Sequence, residues 1–231
     1  MKKVDHKPSQ RFKEADSLID KKKTYGVEEA VELAKKSSTV KFDATVEAHI
    51  RLNLNTKKTD QQVRSTVILP HGSGQTVRVA VISTNGDQQK AAKAAGADLV
   101  GENDLIEEIK AGKINFDILV ATPEAMKLLA PVAKILGPKG LMPNPKDGTV
   151  SGNAAETVGN LKKGKIGYKN DDSGNIHAII GKASFDSAKL AENYHALMDS
   201  ILKAKPTGVK GTYIKNVAIS TSMGPGIKVS F

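Results

Sequence analysis

The middle of the chain alternates short strand patterns with helix patterns, and this alternation constrains the fold more than any other feature. The strand candidates are residues 77–83, 97–101 and 116–121; the helix candidates are 87–96, 103–112 and a segment carrying Met126, Leu128 and Leu129 that Thr122 caps and Pro123 begins. Proline is favoured at the first position of a helix. A strand–helix order repeated three times predicts a small parallel sheet covered by helices on both faces.

The two ends of the chain carry different patterns. Residues 9–23 and 26–38 are amphipathic helix candidates, and residues 43–55 alternate strictly, as a strand with one buried face does. After residue 157, a glycine- and lysine-rich segment precedes a hairpin candidate at 170–180, a helix and a last strand at 212–221. The apolar stripe of that helix consists of Leu190, Tyr194, Leu197, Met198, Ile201 and Leu202.

Neither end of the chain contains enough elements to complete an α+β domain alone. We therefore expect the two ends to form one discontinuous α+β domain, made of residues 1–67 and 158–231. Residues 68–157 form the inserted domain, which is Rossmann-like α/β. The predicted fold class is thus α/β and α+β in two domains.

The net charge of +10 is distributed unevenly between these predicted domains. Residues 68–157 contain 9 Lys and Arg against 10 Asp and Glu, so the two ends together carry +11. Basic surfaces bind phosphate backbones because neutralising phosphates releases counterions. The alternative is a lysine-rich surface that only solubilises the protein, but an asymmetry of this size favours a nucleic-acid-binding face.

Composition removes several classes of function. There is no cysteine, which excludes disulfides, thiolate metal sites and cysteine nucleophiles. The five histidines show no metal-ligand spacing, and His49 and His177 each lie in a strand pattern typical of structural histidines. No apolar run approaches the ~18 residues of a membrane span. We expect a protein without cofactor or catalysis that is soluble, not exported and without a membrane partner.

A nucleotide-dependent enzyme using the inserted domain is the alternative from another class. The glycine-rich stretches of the chain do not support this alternative. "GNLKKGKI" at 159–166 has Ile166 where a phosphate loop needs Ser or Thr, and "HGSG" at 71–74 precedes the first strand of the insert instead of following it. A generic basic DNA-binding protein is a third hypothesis, which would bind duplex DNA and structured RNA equally.

The segment "GPKGLMPNPKDGTV" at 137–150 is long for a loop inside a compact domain, and it carries Lys139 and Lys146. One interpretation is a connector stiffened by proline. The other is a shaped backbone surface, with these two lysines as a second contact to RNA or tRNA. The sequence leaves the two interpretations open.

Two strand ends offer better binding candidates. Lys41 and Phe42 begin the strand whose outward residues include Thr45 and Glu47. An aromatic side chain there can fill the core, or it can pack on a base beside a phosphate contact. In the last strand, one face consists of small polar or small residues, which suit the approach of an RNA minor groove: Asn216, Ala218, Ser220 and Ser222.

Several stretches of the chain together resemble the bacterial ribosomal protein L1 family: "KFDATVEAHIRLN", "LPHGSG", "ILGPKGLMPNPKDGTV", "GNIHAIIGKASF" and "STSMGPG". The resemblance covers essentially the whole chain. It implies a protein with one domain inserted into the other, monomeric when free, cytoplasmic and ribosome-associated. The implied partners are large-subunit ribosomal RNA, exit-site tRNA whose release the mobile stalk assists, and the leader of the protein's own mRNA, whose translation it represses.

The resemblance also implies which residues contact RNA. They are Lys41, Phe42, Thr45, Glu47, Lys169, Asp171, Ser222, Met223 and Gly224, to which the small polar strand face adds Ser220. The family's last motif usually reads Thr-Met-Gly. Here Ser222 keeps the hydroxyl and lacks the methyl group, so the hydrogen bond carries over and the apolar contact does not.

Overall fold

A computed structural model describes residues 9–209 and 211–231 of the chain, apart from the side chain of Thr59. The described residues form two compact units. The first contains the residues up to Val63, Leu69–Gly74 and Tyr168–Phe231; the second contains Arg64–Ile68 and Gln75–Gly167. The domain boundaries after residues 67 and 157 stay predictions, and residues 1–8 of the first predicted domain lie outside the described residues.

The described residues contain helices and strands in the following order. The helices are α1 Gln10–Ser17, α2 Val27–Ser37, α3 Gly86–Ala94, α4 Asn103–Lys110, α5 Ala133–Leu136, α6 Ala154–Lys162 and α7 Ser187–Lys203. The strands are β1 Thr45–Leu52, β2 Arg64–Ile68, β3 Val79–Ile82, β4 Leu99–Gly101, β5 Ile118–Ala121, β6 Lys165–Lys169, β7 Asn175–Lys182, β8 Ile214–Thr221 and β9 Ile227–Val229. Short 3₁₀ turns are Thr59–Gln61, Ala125–Lys127, Ala130–Val132 and Pro145–Asp147.

The first unit is built on a four-stranded sheet with the order β7-β1-β8-β9, in which each strand pairs antiparallel with its neighbours. Every second residue of β1 is buried, as the alternation predicted: Val46, Ala48, Ile50 and Leu52. Helices α2 and α7 pack against strands of this sheet and against each other. One face of the sheet is therefore the core, and the other face carries the polar residues of β1 and β8.

A β-bulge interrupts the pairing of β1 with β7. Val46 lies opposite Gly181, whereas the next residue, Glu47, lies opposite Ile179. Ile180 is thus the extra residue, and its side chain is fully buried. A bulge bends the strand and increases its twist locally, so the start of β1 is turned relative to the rest of the strand.

Two details of the first unit differ from the sequence-based predictions. Five residues of the α7 stripe are buried, but Leu202 is 51% exposed, because it points about 100° around the helix from the fully buried Ile201. The hairpin at 170–180 forms a tight turn closed by an Asn170–Ile176 bridge. Its two flanking strands belong to different sheets, since β6 pairs with β2 and β7 pairs with β1.

The second unit contains the parallel sheet that the alternation predicted, with the order β4-β3-β5. All four residues of β3 are buried, and two apolar clusters pack on the two faces of this sheet. Asn85 caps α3, because its side chain accepts a hydrogen bond from the Asp87 N–H at 2.9 Å. The fold class predicted from the sequence, mixed α/β with a parallel sheet and antiparallel sheets, is confirmed.

The prediction of an α-helix beginning at Pro123 was wrong. The segment forms two 3₁₀ turns, Ala125–Lys127 and Ala130–Val132, followed by the single turn α5. Pro131 lies in the middle of the segment and lacks the N–H that a continuous helix needs. Thr122 Oγ1 is buried and has no hydrogen-bond partner among the described residues, so its side chain does not cap a helix.

Helix α6 was not predicted from the sequence. Its start carries a capping signal, because Asn153 accepts from the Glu156 N–H at 3.3 Å and donates to the Glu156 side chain at 3.3 Å. Ala154, Val158 and Leu161 face the core of the second unit at helical spacing. Gly159 and the lysines that follow make the segment resemble a loop, which hid this pattern.

The charge is shared more evenly between the two structural units than between the predicted domains. The second unit contains 13 Lys and Arg against 10 Asp and Glu, a net charge of +3. The first unit then carries +7 of the total of +10. The difference arises because Arg64, Lys162, Lys163 and Lys165 belong to the second unit. The first unit remains the more basic one, but the excess is not confined to it.

Candidate RNA-binding surface

In the first unit, reciprocal hydrogen bonds join the start of β1 to the residue that follows β8. The Ser222 N–H donates to the Thr45 carbonyl at 2.9 Å, and the Thr45 N–H donates to Ser222 Oγ at 3.2 Å. The Ser222 hydroxyl, whose hydrogen bond the family resemblance carried over, is therefore engaged inside the protein. We call this contact the Thr45–Ser222 junction.

Met223 follows the junction and adopts an unusual backbone conformation. Its φ of 65° lies in the left-handed region, where no other non-glycine residue of the described chain lies. The Gly224 N–H donates to the Thr221 carbonyl at 2.8 Å, which closes a four-residue turn with Met223 in its third position. The turn directs the Met223 side chain outward, with 68% of its surface exposed.

The contacts around residue 224 leave no room for a side chain, so this position requires glycine. A Cβ atom added there would collide with Thr221 Oγ1 and lie 3.3 Å from the Thr221 carbonyl oxygen. Thr221 itself is buried, so its side chain cannot swing into solvent. The Thr221–Gly224 turn is therefore closely packed at both of its ends.

Phe42 is also exposed near the junction. It precedes Thr45 by three residues, and 57% of its surface is accessible, so it does not fill the core. Lys41 beside it is exposed as well. Two exposed apolar side chains, Phe42 and Met223, thus flank the partly buried junction in the sequence, and Lys41 adjoins Phe42.

The remaining candidates lie along the polar face of the sheet and at its other end. Glu47 lies opposite Ser220 on β8, and both are partly exposed. Asp171 lies at the far end, because its Oδ1 accepts from the N–H of Asn175 at 2.7 Å and Asn175 is opposite Arg51 near the end of β1. The same oxygen accepts from the Ser173 N–H at 2.9 Å. The exposed Lys169 precedes it by two residues. The candidate residues thus form an elongated surface of about 20 Å along β1, at ~3.3 Å per residue.

Lys139 and Lys146 belong to the second unit, whereas the surface above is described within the first. Both are exposed. The loop around them is held by its own contacts: Asn144 caps the Pro145–Asp147 turn, the Arg64 guanidinium binds both Asp147 oxygens, and Pro143 is buried. The Arg64 pKa is raised, first by this hydrogen bond. These contacts support the stiffened-connector interpretation for the backbone and leave the two lysines accessible.

The loop after β3, where a nucleotide would bind, is held by hydrogen bonds among its own residues. After β3, Ser83 and Asn85 bond to each other, and the Gln89 amide donates to the Ser83 carbonyl at 2.6 Å. Within the described ranges, no cluster of three or more acidic or histidine side chains could hold a metal ion. No helix among these residues has the length and apolarity needed to cross a bilayer.

A histidine pair at the centre of the polar face was missed by the sequence analysis. His49 and His177 are opposite each other on β1 and β7, and their Nδ1 atoms are 2.8 Å apart. His49 Nε2 is 2.8 Å from Ser220 Oγ. The signal was available in part, because both residues lay in strand patterns. Their pairing depends on a register that spans 128 residues of chain.

The pair restricts protonation. A hydrogen bond between two Nδ1 atoms needs one donor and one acceptor, so at least one of the two rings is neutral while the contact exists. Burial lowers the pKa of His49 below its ordinary value of 6.5, and the nearby His177 lowers it further, while Glu47 acts in the opposite direction. The folded protein therefore resists protonation of His49.

This arrangement predicts acid sensitivity. Because the His49 pKa is lowered in the folded state, the unfolded chain takes up a proton first as pH falls below 6.5. The free energy of unfolding should therefore decrease below this pH, and the His49→Gln variant should show a shallower decrease. Denaturant unfolding of both proteins at pH values above and below 6.5 measures the difference. Parallel losses of stability in the two proteins would contradict the prediction.

Comparison with known proteins shows which family the chain resembles in sequence. Residues 33–225 match the model of the "Ribosomal protein L1p/L10e family". The chain is 52% identical over 225 residues to the large ribosomal subunit protein uL1 of Thermosipho melanesiensis, with 97% of each chain covered. It is 51% identical over 224 residues to that of Thermosipho africanus, covering 96% of each. With that of Mycobacterium sp. (strain KMS) it shares 52% identity over 223 residues, covering 96% of this chain and 94% of the relative.

Proposed function

The chain belongs to the ribosomal protein L1p/L10e family, and from this premise we propose that it is a structural component of the large ribosomal subunit that binds large-subunit ribosomal RNA. Its place is then on the ribosome in the cytoplasm. The relatives named above are large ribosomal subunit proteins uL1, which supports this assignment. The binding surface is the polar strand face of the first unit with the Thr45–Ser222 junction at its end.

The single observation that carries the RNA-binding proposal is the exposure of Phe42 and Met223 on either side of that junction. Exposed apolar side chains next to lysine and short polar groups match what an RNA surface offers: base faces, phosphates and 2′-hydroxyls. In this proposal Lys41 and Lys169 contact phosphates, Phe42 and Met223 pack on bases or riboses, and Glu47, Ser220 and Asp171 accept or donate hydrogen bonds. Gly224 lets the backbone come close to the RNA.

Three more specific functions are proposed for the same protein. We infer that the protein forms the mobile stalk, assists the release of deacylated tRNA from the exit site, and represses its own mRNA by binding a similar RNA structure in the leader. For tRNA, the second unit offers residues 125–146, which contain four lysines and no acidic residue. Lys139 and Lys146 lie in this segment, and Asp147 after it is neutralised by Arg64.

A footprint on a transcript of large-subunit ribosomal RNA tests the proposal. We expect protection of one compact region and a binding constant that falls steeply with salt, because phosphate contacts release counterions. Small-subunit ribosomal RNA and duplex DNA serve as matched competitors, and neither should displace the protein at equal nucleotide concentration. Equal competition by duplex DNA would instead identify a generic basic DNA-binding protein.

A further inference from the structure

The side chain of Lys182 is held along its length beside the Thr45–Ser222 junction. Lys182 is the last residue of β7 and lies opposite Thr45, the first residue of β1. Its Nζ donates a hydrogen bond to Thr45 Oγ1 at 2.9 Å. The backbone of Gly74 packs on its aliphatic stem, so closely that a Cβ added to Gly74 would lie 2.7 Å from Lys182 Cγ.

The turn that contains Gly74 is fixed to helix α7. The His71 N–H donates to Asn193 Oδ1 at 3.0 Å, and the Asn193 side-chain amide donates to the carbonyls of Gly72 at 3.0 Å and Ile180 at 2.8 Å. Asn193 is fully buried. Gly74 has a φ of 69°, a conformation that other residues adopt only with strain. The "HGSG" stretch is therefore a rigid support behind Lys182.

Lys182 is only partly buried, and its ammonium group has no carboxylate partner among the described residues. An ammonium group has three N–H donors, and Thr45 uses one of them. Lys21, Lys36, Lys162 and Lys189 each form an ion pair with a carboxylate, but Lys182 forms none with any carboxylate of the described residues. The hydrogen-bond partner of its Nζ is the Thr45 hydroxyl, which does not neutralise the charge.

We propose that Lys182 is a phosphate-binding residue of the RNA surface and that the His71–Gly74 turn is its positioning element. The proposal rests on the RNA-binding function proposed above and adds a contact that the resemblance did not imply. The ligand is a phosphodiester of the RNA backbone next to the Thr45–Ser222 junction. Because the lysine stem is already immobilised by Gly74, little side-chain entropy remains to be lost when the phosphate binds.

The Lys182→Met variant tests the contact, because methionine keeps an unbranched apolar stem and removes the charge. Binding to the large-subunit transcript is measured between about 0.05 and 0.2 M salt. One phosphate contact contributes about 0.7–0.9 to the slope of log K against log salt, so the slope should become shallower by that amount. The same relation gives a five- to eightfold loss of affinity at about 0.1 M salt.

Two further variants serve as controls for charge and position. Lys182→Arg keeps the charge and should keep most of the slope. Lys189→Met removes an exposed lysine of α7 that pairs with Asp186, the residue before the helix, and should leave affinity and slope unchanged. An unchanged slope in Lys182→Met would overturn the inference, even if its affinity fell, because a purely structural role would weaken binding without removing a phosphate contact.

The positioning role of the turn has its own test. Gly74→Ala places a Cβ against both the Lys182 stem and the Phe185 ring, so it should displace the lysine and weaken binding. Combining it with Lys182→Met should add no further loss. A double variant that binds more weakly than Lys182→Met alone would contradict the positioning role. If the wild-type protein shows no salt-dependent binding to the transcript, the proposed function itself fails; if it binds and Lys182→Met keeps its slope, only the inference about Lys182 fails.

Discussion

Replacing Met223 with alanine is expected to weaken binding to the large-subunit transcript about tenfold or more, the loss typical of a central apolar contact in an interface. The side chain is 68% exposed and packs on little of its own protein. The free energy of unfolding should therefore stay within about 0.5 kcal/mol of the wild-type value. Filter binding and denaturant unfolding of the same preparations measure the two effects.

The left-handed backbone of Met223 allows a second variant at the same position. A non-glycine residue in this region costs about 1 kcal/mol or more, so Met223→Gly removes strain as well as the side chain. We expect it to bind RNA as weakly as Met223→Ala while being at least as stable. A variant that loses affinity only because it is unfolded cannot show this combination.

The matched control for Met223 is Leu202, another exposed apolar residue of the first unit. It is 51% exposed on α7, a helix that packs against the sheet. Leu202→Ala should leave RNA affinity unchanged. If Met223→Ala also binds normally, the turn is not part of the RNA surface and the proposed site must be abandoned.

Substituting Gly224 with alanine is expected to reduce the free energy of unfolding by about 1–3 kcal/mol, the usual cost of inserting an atom into a packed site. The new Cβ collides with Thr221 Oγ1, which is buried. Since the same turn holds Met223 outward, RNA affinity should fall with stability. Urea unfolding at equilibrium gives the first quantity and the transcript assay the second.

Thr221 provides the partner for a double-mutant cycle. Thr221 Oγ1 has no hydrogen-bond partner among the described residues, so Thr221→Ala loses no such bond and frees space for the alanine Cβ. The double variant Thr221→Ala/Gly224→Ala should therefore be more stable than the sum of the two single effects predicts. Strictly additive effects would show that the collision does not cause the instability of Gly224→Ala.

The elements predicted correctly are those whose pattern is local. The alternation of β1 and the strand–helix order of the second unit follow from periods of two and about four residues. The segment after Pro123 failed because Pro131, eight residues later, ends any helix that begins there. Helix α6 was lost for the opposite reason, since Gly159 and three lysines hid a good cap and a buried stripe.

The site was predictable where the resemblance supplied residues and unpredictable where strands had to be paired. Phe42 had two open interpretations, and its exposure removes the one in which it fills the core. The left-handed conformation of Met223 has no sequence signal, because glycine or asparagine usually occupies such positions. The contacts of Lys182 with Thr45 and of His49 with His177 bridge more than a hundred residues and follow only from the register of β1 and β7.

The bulge at Ile180 makes the length of β7 as important as its composition. The extra residue lets Lys182 reach its place opposite Thr45 while His177 stays opposite His49. Removing or adding one residue between them would shift only one end of the strand and exchange the faces of its side chains there. Among relatives of this chain, substitutions along β7 should therefore be far more common than insertions or deletions between Ile179 and Lys182.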